Sequence, residues 1–366
     1  MSDVLTTTAA VYTGSERLDL REVTLRAPGR GEVRVRIGAS GVCGSDRHVL
    51  DGDWQMPTPT IMGHEGAGVV EAVGEGVTSL AVGDHVIMTW FYPCGTCASC
   101  RQGRTWVCTG SRSEECLLPD GSTPTTIDDA RVYPYLAVGS MSERVVVAEQ
   151  AAIRVPAEVP FDVAALIGCS IATGVGAVVN DARVQAGRSA VVIGAGGVGL
   201  SIIMGLALAG ASPIIAADVN DDALALAKEF GATHTVRSGP DLAERVREIV
   251  ADGADFAFEA IGRPDTIALM PTTLQRGGTA VIVGLPPQDR PVPIDALALA
   301  EEGKALLGSN YGGTVPARDF PMLSRLYLDG KLPIDRLITH RFALADVNDA
   351  FDLMRAGAKG RSVLVL

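Results

Sequence analysis

The sequence predicts an α/β protein of two domains, one of them built on a doubly wound parallel sheet, and three observations predict it. At 366 residues the chain is too long for one ordinary core. Between residues 189 and 309 short apolar stretches alternate with helical segments in a βα rhythm. Within that region SAVVI (189–193) runs into GAGGVG (194–199) and then into LSIIMGLALAG, a strand, a tight turn and a helix in direct succession. The first 150 residues differ, with short strands, many Gly-containing turns and few long helices. That contrast sets boundaries near 170 and 310, giving a first domain over 1–170, a second over 171–310, and a return to the first over 311–366.

In chain order, the buried strand at 189–193 is followed by SPIIAAD, ending at Asp218, and by short strands near 233–236, 254–258 and 279–284. Helical segments near 221–230, 240–251 and 264–274 separate them, and KALLGS (304–309) completes a six-stranded parallel sheet. In the turn, Gly194, Gly196 and Gly199 occupy the G-x-G-x-x-G positions in the strand–turn–helix setting of a Rossmann dinucleotide site. The first two glycines allow the turn and the close approach of a pyrophosphate, and the third lets helix pack on strand. The helix N-terminus, which includes Gly197 and Val198, turns its partial positive charge to the phosphates. Asp218 stands nineteen residues past the last glycine, where a carboxylate accepts from both ribose hydroxyls of NAD and repels a 2′-phosphate.

The stretch 93–108, PCGTCASCRQGRTWVC, holds four of the seven cysteines. Neither a basic n-region nor an apolar h-region stands at the N-terminus, and no apolar run is read as approaching the ~18 residues of a membrane span. A cytoplasmic location is therefore expected, and with it reduced thiols rather than a disulfide framework. Cys94, Cys97, Cys100 and Cys108 follow C-x2-C-x2-C-x7-C, which can close a tetrahedral, structural zinc site. A redox dithiol is the alternative, and it leaves two of the four without a purpose. The net charge of -12 and the absence of a basic run exclude a nucleic-acid partner.

A second group is scattered: GVCGSDRH (41–48), GHE (63–65) and IGCSIATG (167–174). Singly, Cys43, His64 and Cys169 are unremarked core residues. Together they offer one nitrogen and two sulfurs, a ligand set known to hold a catalytic zinc with its fourth position open. This is a match to a known set and not a deduction from spacing.

The scattered ligands, GHE, the four-cysteine lobe and GAGGVG stand in one order along the whole chain, which thereby resembles the zinc-dependent medium-chain alcohol dehydrogenase family. The segment YGGTVPARDFPMLSRLYLDGKLPIDRLITHRFAL looks most like its glutathione- or mycothiol-dependent formaldehyde dehydrogenase branch and actinobacterial relatives. The resemblance implies a GroES-like, β-rich catalytic domain beside the Rossmann domain. It implies two zinc ions per chain, NAD, and reversible hydride transfer between a primary alcohol and NAD, with the thiol-adduct reaction as the alternative. Residue by residue, it implies that Cys43, His64 and Cys169 hold the catalytic zinc, with Glu65 beside the metal and Asp46 orienting the His64 ring. It further implies that Ser45 contacts the alcohol oxygen and His48 ends a proton relay. Thr173 would pack on the nicotinamide and Arg361 would reach the pyrophosphate. Trp54, Trp90, Leu285 and Asn310 would line the substrate pocket, where the two indoles either stack on an aromatic or allylic alcohol or fill space. Gly44 stands where several relatives carry a basic pyrophosphate ligand, and Ala223 where some carry a Lys at the adenosine ribose. Cys116 fits neither zinc set and reads as a structural thiol. A homodimer is implied, joined through the KALLGS edge strand. A non-catalytic relative would have lost ligands, and this chain keeps every one.

Overall fold

The computed structural model describes residues 4–288 and 290–366. The chain divides into two compact units, residues 1–169 with 315–366, and residues 170–314.

The first unit is β-rich. Strands Leu5–Tyr12, Asp19–Leu25, Thr125–Ile127, Ala130–Pro134 and Thr60–Ile61 close a small barrel. A seven-stranded sheet runs in the order Ala152–Arg154, His85–Met88, Glu65–Val73, Glu32–Gly41, Arg361–Val365, Ile338–Ala343, with Arg144–Ala148 also pairing with Glu32–Gly41. Alternate residues Val33, Val35 and Ile37 are buried with Val70, Val86, Met88, Val145 and Val147 in one core. This is the period-two pattern of a sheet face turned inward.

The second unit carries the parallel sheet that the sequence predicts. Its strands are β1 (Ala190–Ile193), β2 (Ile214–Asp218), β3 (His234–Arg237), β4 (Ala254–Glu259), β5 (Leu274–Ile282) and β6 (Ala305–Gly308), in the order β3-β2-β1-β4-β5-β6 with every pairing parallel. Helices α1 (Gly197–Ala209), α2 (Asp221–Glu229), α3 (Leu242–Ile249) and α4 (Pro264–Leu269) fill the first four crossovers, and the short helix Ala296–Glu301 lies in the fifth. Asn220 caps α2 by accepting from the Asp222 and Ala223 amides. Val191, Ile193, Ile215, Ala217, Leu242 and Val246 join one core. The helix expected over 264–274 ends its α-form at Leu269 and tightens to a 3₁₀ turn, Met270–Thr273, because Pro271 has no amide to donate.

One reading of the sequence needs correction. The helical run Phe161–Asp181 is 21 residues long with mean hydropathy 1.8, long and apolar enough by length and composition to cross a membrane. It is 83% buried inside the protein, the condition of a core helix, so its apolar length serves packing.

The turn between β1 and α1 is set by three glycines in three different ways. Gly194 has φ +97°, which a side chain resists, and a Cβ on Gly199 would overlap the Gly194 carbonyl oxygen. Around Gly196 a Cβ would meet nothing within 4 Å. Gly199→Ala is therefore expected to lower the thermal midpoint by several degrees, at a cost of about 2 kcal/mol. Gly196→Ala should leave the midpoint unchanged and weaken dinucleotide binding. Calorimetry with dinucleotide titration separates the two outcomes.

Candidate active site and metal centres

Strand register assembles the first metal-binding cluster. In the antiparallel pair of Glu32–Gly41 with Glu65–Val73, Gly41 lies opposite Glu65. On the other side of the same strand, Val363 lies opposite Gly41. Cys43 and His64 therefore leave neighbouring strand ends, and Arg361 arrives beside them. A Cβ on Gly41 would overlap the Glu65 carboxylate, so this approach requires glycine. Cys169 comes from the helix beginning at Phe161, where the α-helix gives way to a π-helical turn, Ile167–Ile171. Such turns re-aim side chains and are frequent at functional sites. A Cβ on Gly168 would stand 2.7 Å from the Met88 carbonyl, so glycine also lets this helix close on the sheet.

The ligand atoms of Cys43, His64, Glu65 and Cys169 all lie within 4.8 Å of one another, and all four residues are buried. The Asp46 carboxylate, fully buried, accepts from the Cys43 amide at 3.1 Å and from the Gly63 amide and His64 Nδ1 at 3.2 Å each. With Nδ1 so engaged, Nε2 is the nitrogen left for a metal. Arg361 Nη2 donates to Glu65 Oε2 and, at 3.1 Å, to the Val42 carbonyl. Glu65 Oε1 is buried without a partner. Such an orphaned oxygen is costly, and a cation at the cluster would satisfy it.

Electrostatics point the same way. The hydrogen bond with Cys169 holds the Cys43 thiol well below its ordinary range against burial, with His64 adding to the effect. The same bond, together with burial, pushes the Cys169 thiol up. Burial would lower the His64 imidazole, but Asp46 and Cys43 hold it well above the usual value. Burial raises the Glu65 carboxyl to about 7, opposed by Arg361. The cluster thus holds protons where a divalent cation would replace them, and two sulfurs with one imidazole suit zinc.

Cys94, Cys97, Cys100 and Cys108 form the second cluster, again with sulfurs within 4.8 Å of one another. Backbone amides serve the thiols: Cys100 donates to Cys97 Sγ at 3.4 Å, and Cys94 and Gly110 donate to Cys108 Sγ at 3.2 and 3.3 Å. The Cys100 amide, with that of Thr109, draws the Cys97 thiol down to about 5. Four sulfurs and no other donor in the group describe a closed zinc site. Cys116 lies apart, fully buried among apolar side chains.

Helix Gly44–Leu50 carries the residues assigned to the relay. Ser45 Oγ is 3.6 Å from Cys43 Sγ. His48 is bonded through Nδ1 to Asp53 Oδ2 at 2.7 Å and stacks on Trp54 with ring centroids 4.8 Å apart. Tyr135, buried, packs edge-on against the His64 ring, and its hydroxyl donates to the Ser45 carbonyl at 3.4 Å. Sequence reasoning missed both Asp53 and Tyr135. Asp53 stands five residues beyond His48 in an exposed loop, and nothing local marks Tyr135. Trp90 is half-buried, with its ring edge-on to Phe91.

In the second unit, the amides of Gly197, Val198 and Gly199 open α1 with no carbonyl of their own helix to reach. Asp218, half-buried at the end of β2, accepts from the Ala195 amide at 2.7 Å and the Asn220 amide at 2.9 Å, one bond to each oxygen. Each oxygen retains acceptor capacity for a ribose hydroxyl. The open space at Gly196 is the cradle a pyrophosphate requires. Thr173 is half-buried, Asn310 exposed and Leu285 55% exposed.

Residues 29–157 match the family described as the alcohol dehydrogenase GroES-like domain, and residues 197–328 match the zinc-binding dehydrogenase family. The chain is 39% identical to an S-(hydroxymethyl)glutathione dehydrogenase of Paracoccus denitrificans, over 98% of this chain and 99% of that protein. Benzyl alcohol dehydrogenase from Acinetobacter calcoaceticus superposes with TM-score 0.94 at 33% identity, covering 99% of both chains. Acetophenone reductase from Geotrichum candidum, in complex with NAD, superposes with TM-score 0.81 at 26% identity, covering 99% of this chain and 97% of the other. The chain belongs to the zinc-dependent medium-chain alcohol dehydrogenase family. It is an oxidoreductase of that family, with zinc and NAD as its cofactors.

Metal analysis of freshly purified protein should find two zinc ions per chain. Cys43→Ser should abolish turnover and leave a folded protein with one zinc. Cys97→Ser should chiefly lower thermal stability. A single tightly bound zinc in the intact protein would overturn one of the two assignments.

Proposed function

We propose that the protein oxidises a primary alcohol, aromatic and allylic alcohols being among the candidates, to its aldehyde with NAD, reversibly. The buried cluster of Cys43, His64 and Cys169, with the Ser45 hydroxyl beside Cys43, carries this reading. Zinc, when bound there, supplies a Lewis acid that makes an alcohol more acidic and polarises an aldehyde. The chain's own residues do the rest. Cys43, His64 and Cys169 hold the ion, and Asp46 keeps Nδ1 of His64 protonated so that Nε2 faces it. Glu65, paired with Arg361, is the residue beside the metal. Ser45 takes a hydrogen bond from the substrate hydroxyl, and His48 passes its proton toward solvent. Gly194, Gly196 and Gly199, with the amides that open α1, receive the pyrophosphate. Asp218 takes the adenosine ribose, and Thr173 packs on the nicotinamide. Arg361 is assigned to the pyrophosphate by resemblance, yet its guanidinium is buried against Glu65 and the Val42 carbonyl, which weakens that assignment. Trp54, Trp90, Leu285 and Asn310 are the proposed pocket residues.

The 39% identity to the Paracoccus S-(hydroxymethyl)glutathione dehydrogenase favours a second reading, oxidation of the adduct of formaldehyde with a low-molecular-weight thiol. An NADH-absorbance screen of alcohols and aldehydes on zinc-replete protein, with and without glutathione or mycothiol, decides between them. Turnover of benzyl-type alcohols without thiol supports the first reading; an absolute thiol requirement supports the second.

A homodimer in the cytoplasm is part of the proposal. Strand β6 is an edge of the parallel sheet, and its Ala305, Leu306 and Gly308 are exposed, a surface that a second copy can extend. The long stretch between Cys108 and Gly139 is a further resemblance to dimeric members. The free thiols fit a reducing compartment.

NAD should be preferred over NADP, since the Asp218 carboxylate would face the extra phosphate. Asp218→Gly should narrow the ratio of kcat/KM between the cofactors, whereas equal efficiency of the unmodified protein with both would contradict the assignment. Sedimentation at micromolar concentration should show a dimer; a tetramer would count against the argument from the long stretch between Cys108 and Gly139. His48→Gln should slow alcohol oxidation severalfold in single turnover, with partial rescue by small imidazole or amine buffers and unchanged zinc content.

A further inference from the structure

The loop that follows helix Gly44–Leu50 turns back on His48. The Asp53 and Trp54 amides both donate to the His48 carbonyl, at 2.9 and 3.2 Å, and the Gly52 amide donates to Val49 at 3.2 Å. Gly52, at φ +79°, permits the turn. The fold-back brings two side chains onto one imidazole. Asp53 Oδ2 meets Nδ1 at 2.7 Å, and the Trp54 indole lies against the ring face, with centroids 4.8 Å apart and planes inclined by 25°. Trp54 in turn packs on the core cluster that includes Val49, Leu50 and Phe351. The indole thus has a firm backing.

The surrounding charges are committed elsewhere. Asp51 binds Arg47 at 2.8 Å on its own helix and Arg355 at 2.9 Å from helix Val347–Arg355. Asp46 is buried against Cys43, Gly63 and His64. Asp53 is the carboxylate that reaches His48.

An imidazole has two nitrogens, and in the neutral ring only one carries a proton. A carboxylate at hydrogen-bond distance accepts, so the nitrogen facing it must donate. We propose that Asp53 is a positioning residue for proton transfer: with Trp54 it holds the His48 ring in one orientation and in the Nδ1–H tautomer, keeping Nε2 as the atom that takes the proton. This inference rests on the reading of His48 as the end of the relay. It also moves Trp54 from the substrate pocket to the wall of the relay. The step balances simply. Nε2 gains the proton that leaves the alcohol by way of Ser45 and the nicotinamide ribose hydroxyl, the ring becomes imidazolium beside the Asp53 carboxylate, and it returns one proton to water. The His48 side chain is 30% exposed, which gives water access. A free imidazole prefers the Nε2–H tautomer, which would present a donor where the relay needs an acceptor. Holding the other tautomer is the function that stacking or helix closure alone would not supply.

The test uses the zinc-loaded protein with histidine-selective ¹⁵N labelling. With five histidines in the chain, the His48 signals are assigned by their loss in His48→Gln. Ring ¹⁵N shifts should show His48 as Nδ1–H in the unmodified protein. Asp53→Asn, whose amide can donate to Nδ1, should move the population toward Nε2–H. It should also slow single-turnover alcohol oxidation roughly tenfold, less than the loss known for a fully buried catalytic Asp→Asn because this pair is partly exposed. Imidazole buffer should restore part of the rate, while NAD affinity and zinc content stay as they were. Trp54→Leu, with the carboxylate kept, should retain the tautomer and lose less rate. If His48→Gln slows the reaction but Asp53→Asn alters neither tautomer nor rate, the positioning role is overturned. If His48 is Nε2–H in the unmodified protein, it is likewise overturned. If His48→Gln leaves the rate unchanged, the relay reading itself fails, and Asp53 is then no more than a contact that closes the helix end.

Discussion

Strand Glu32–Gly41 pairs with Glu65–Val73 on one side and Arg361–Val365 on the other, and that double register is the constraint on which the rest of the site depends. A slip of one residue in either pair would turn every side chain to the opposite face. Cys43 and His64 would then no longer leave the sheet together, and Arg361 would not meet Glu65. Gly41 guards the register, because any side chain there would collide with the Glu65 carboxylate. The apolar alternation of Val33, Val35 and Ile37 supplies the energy that holds it.

Around this frame the protein buries several charged side chains. Asp46, His64, Glu65 and Arg361 are all buried, in company with two thiols. Buried charges persist only when paired and hydrogen-bonded. Here Asp46 is satisfied by two amides and an imidazole, and Arg361 by a carboxylate and a carbonyl. Glu65 Oε1 is left without a partner, beside two sulfurs and an imidazole that have the donor chemistry of a zinc site. A metal held there would be continuous with the polar network of Asp46, His64, Glu65 and Arg361.

The four-cysteine lobe solves a different problem. Its sulfurs sit nearer the surface, on a short segment with little core of its own, and are served by backbone amides where the first cluster is served by side chains. A metal held there would do the work that a hydrophobic core does elsewhere. In the second unit the proposed dinucleotide site would need no metal, and apart from the half-buried Asp218 carboxylate it would use no charged side chain. It relies on backbone geometry: a positive φ at Gly194, open space at Gly196 and close packing at Gly199.

By itself the sequence determined the parallel sheet, the glycine turn with Asp218 after its second strand, and the membership of the four-cysteine lobe. These are local patterns, written in contiguous residues whose spacing the backbone cannot alter. It also supplied the residue types of the scattered cluster, though only resemblance joined Cys43, His64 and Cys169, since more than a hundred residues separate the first from the last. The tertiary structure decided the partners. That Arg361 lies buried on Glu65, that Tyr135 packs on His64, and that Asp53 and Trp54 close on His48 follow from sheet register and from a loop turning at Gly52. Apolar length was equally undecided in the sequence, for the run Phe161–Asp181 has the composition of a membrane span and the burial of a core helix. Composition states what a segment can bury against, and only the folded chain supplies the surface that it meets.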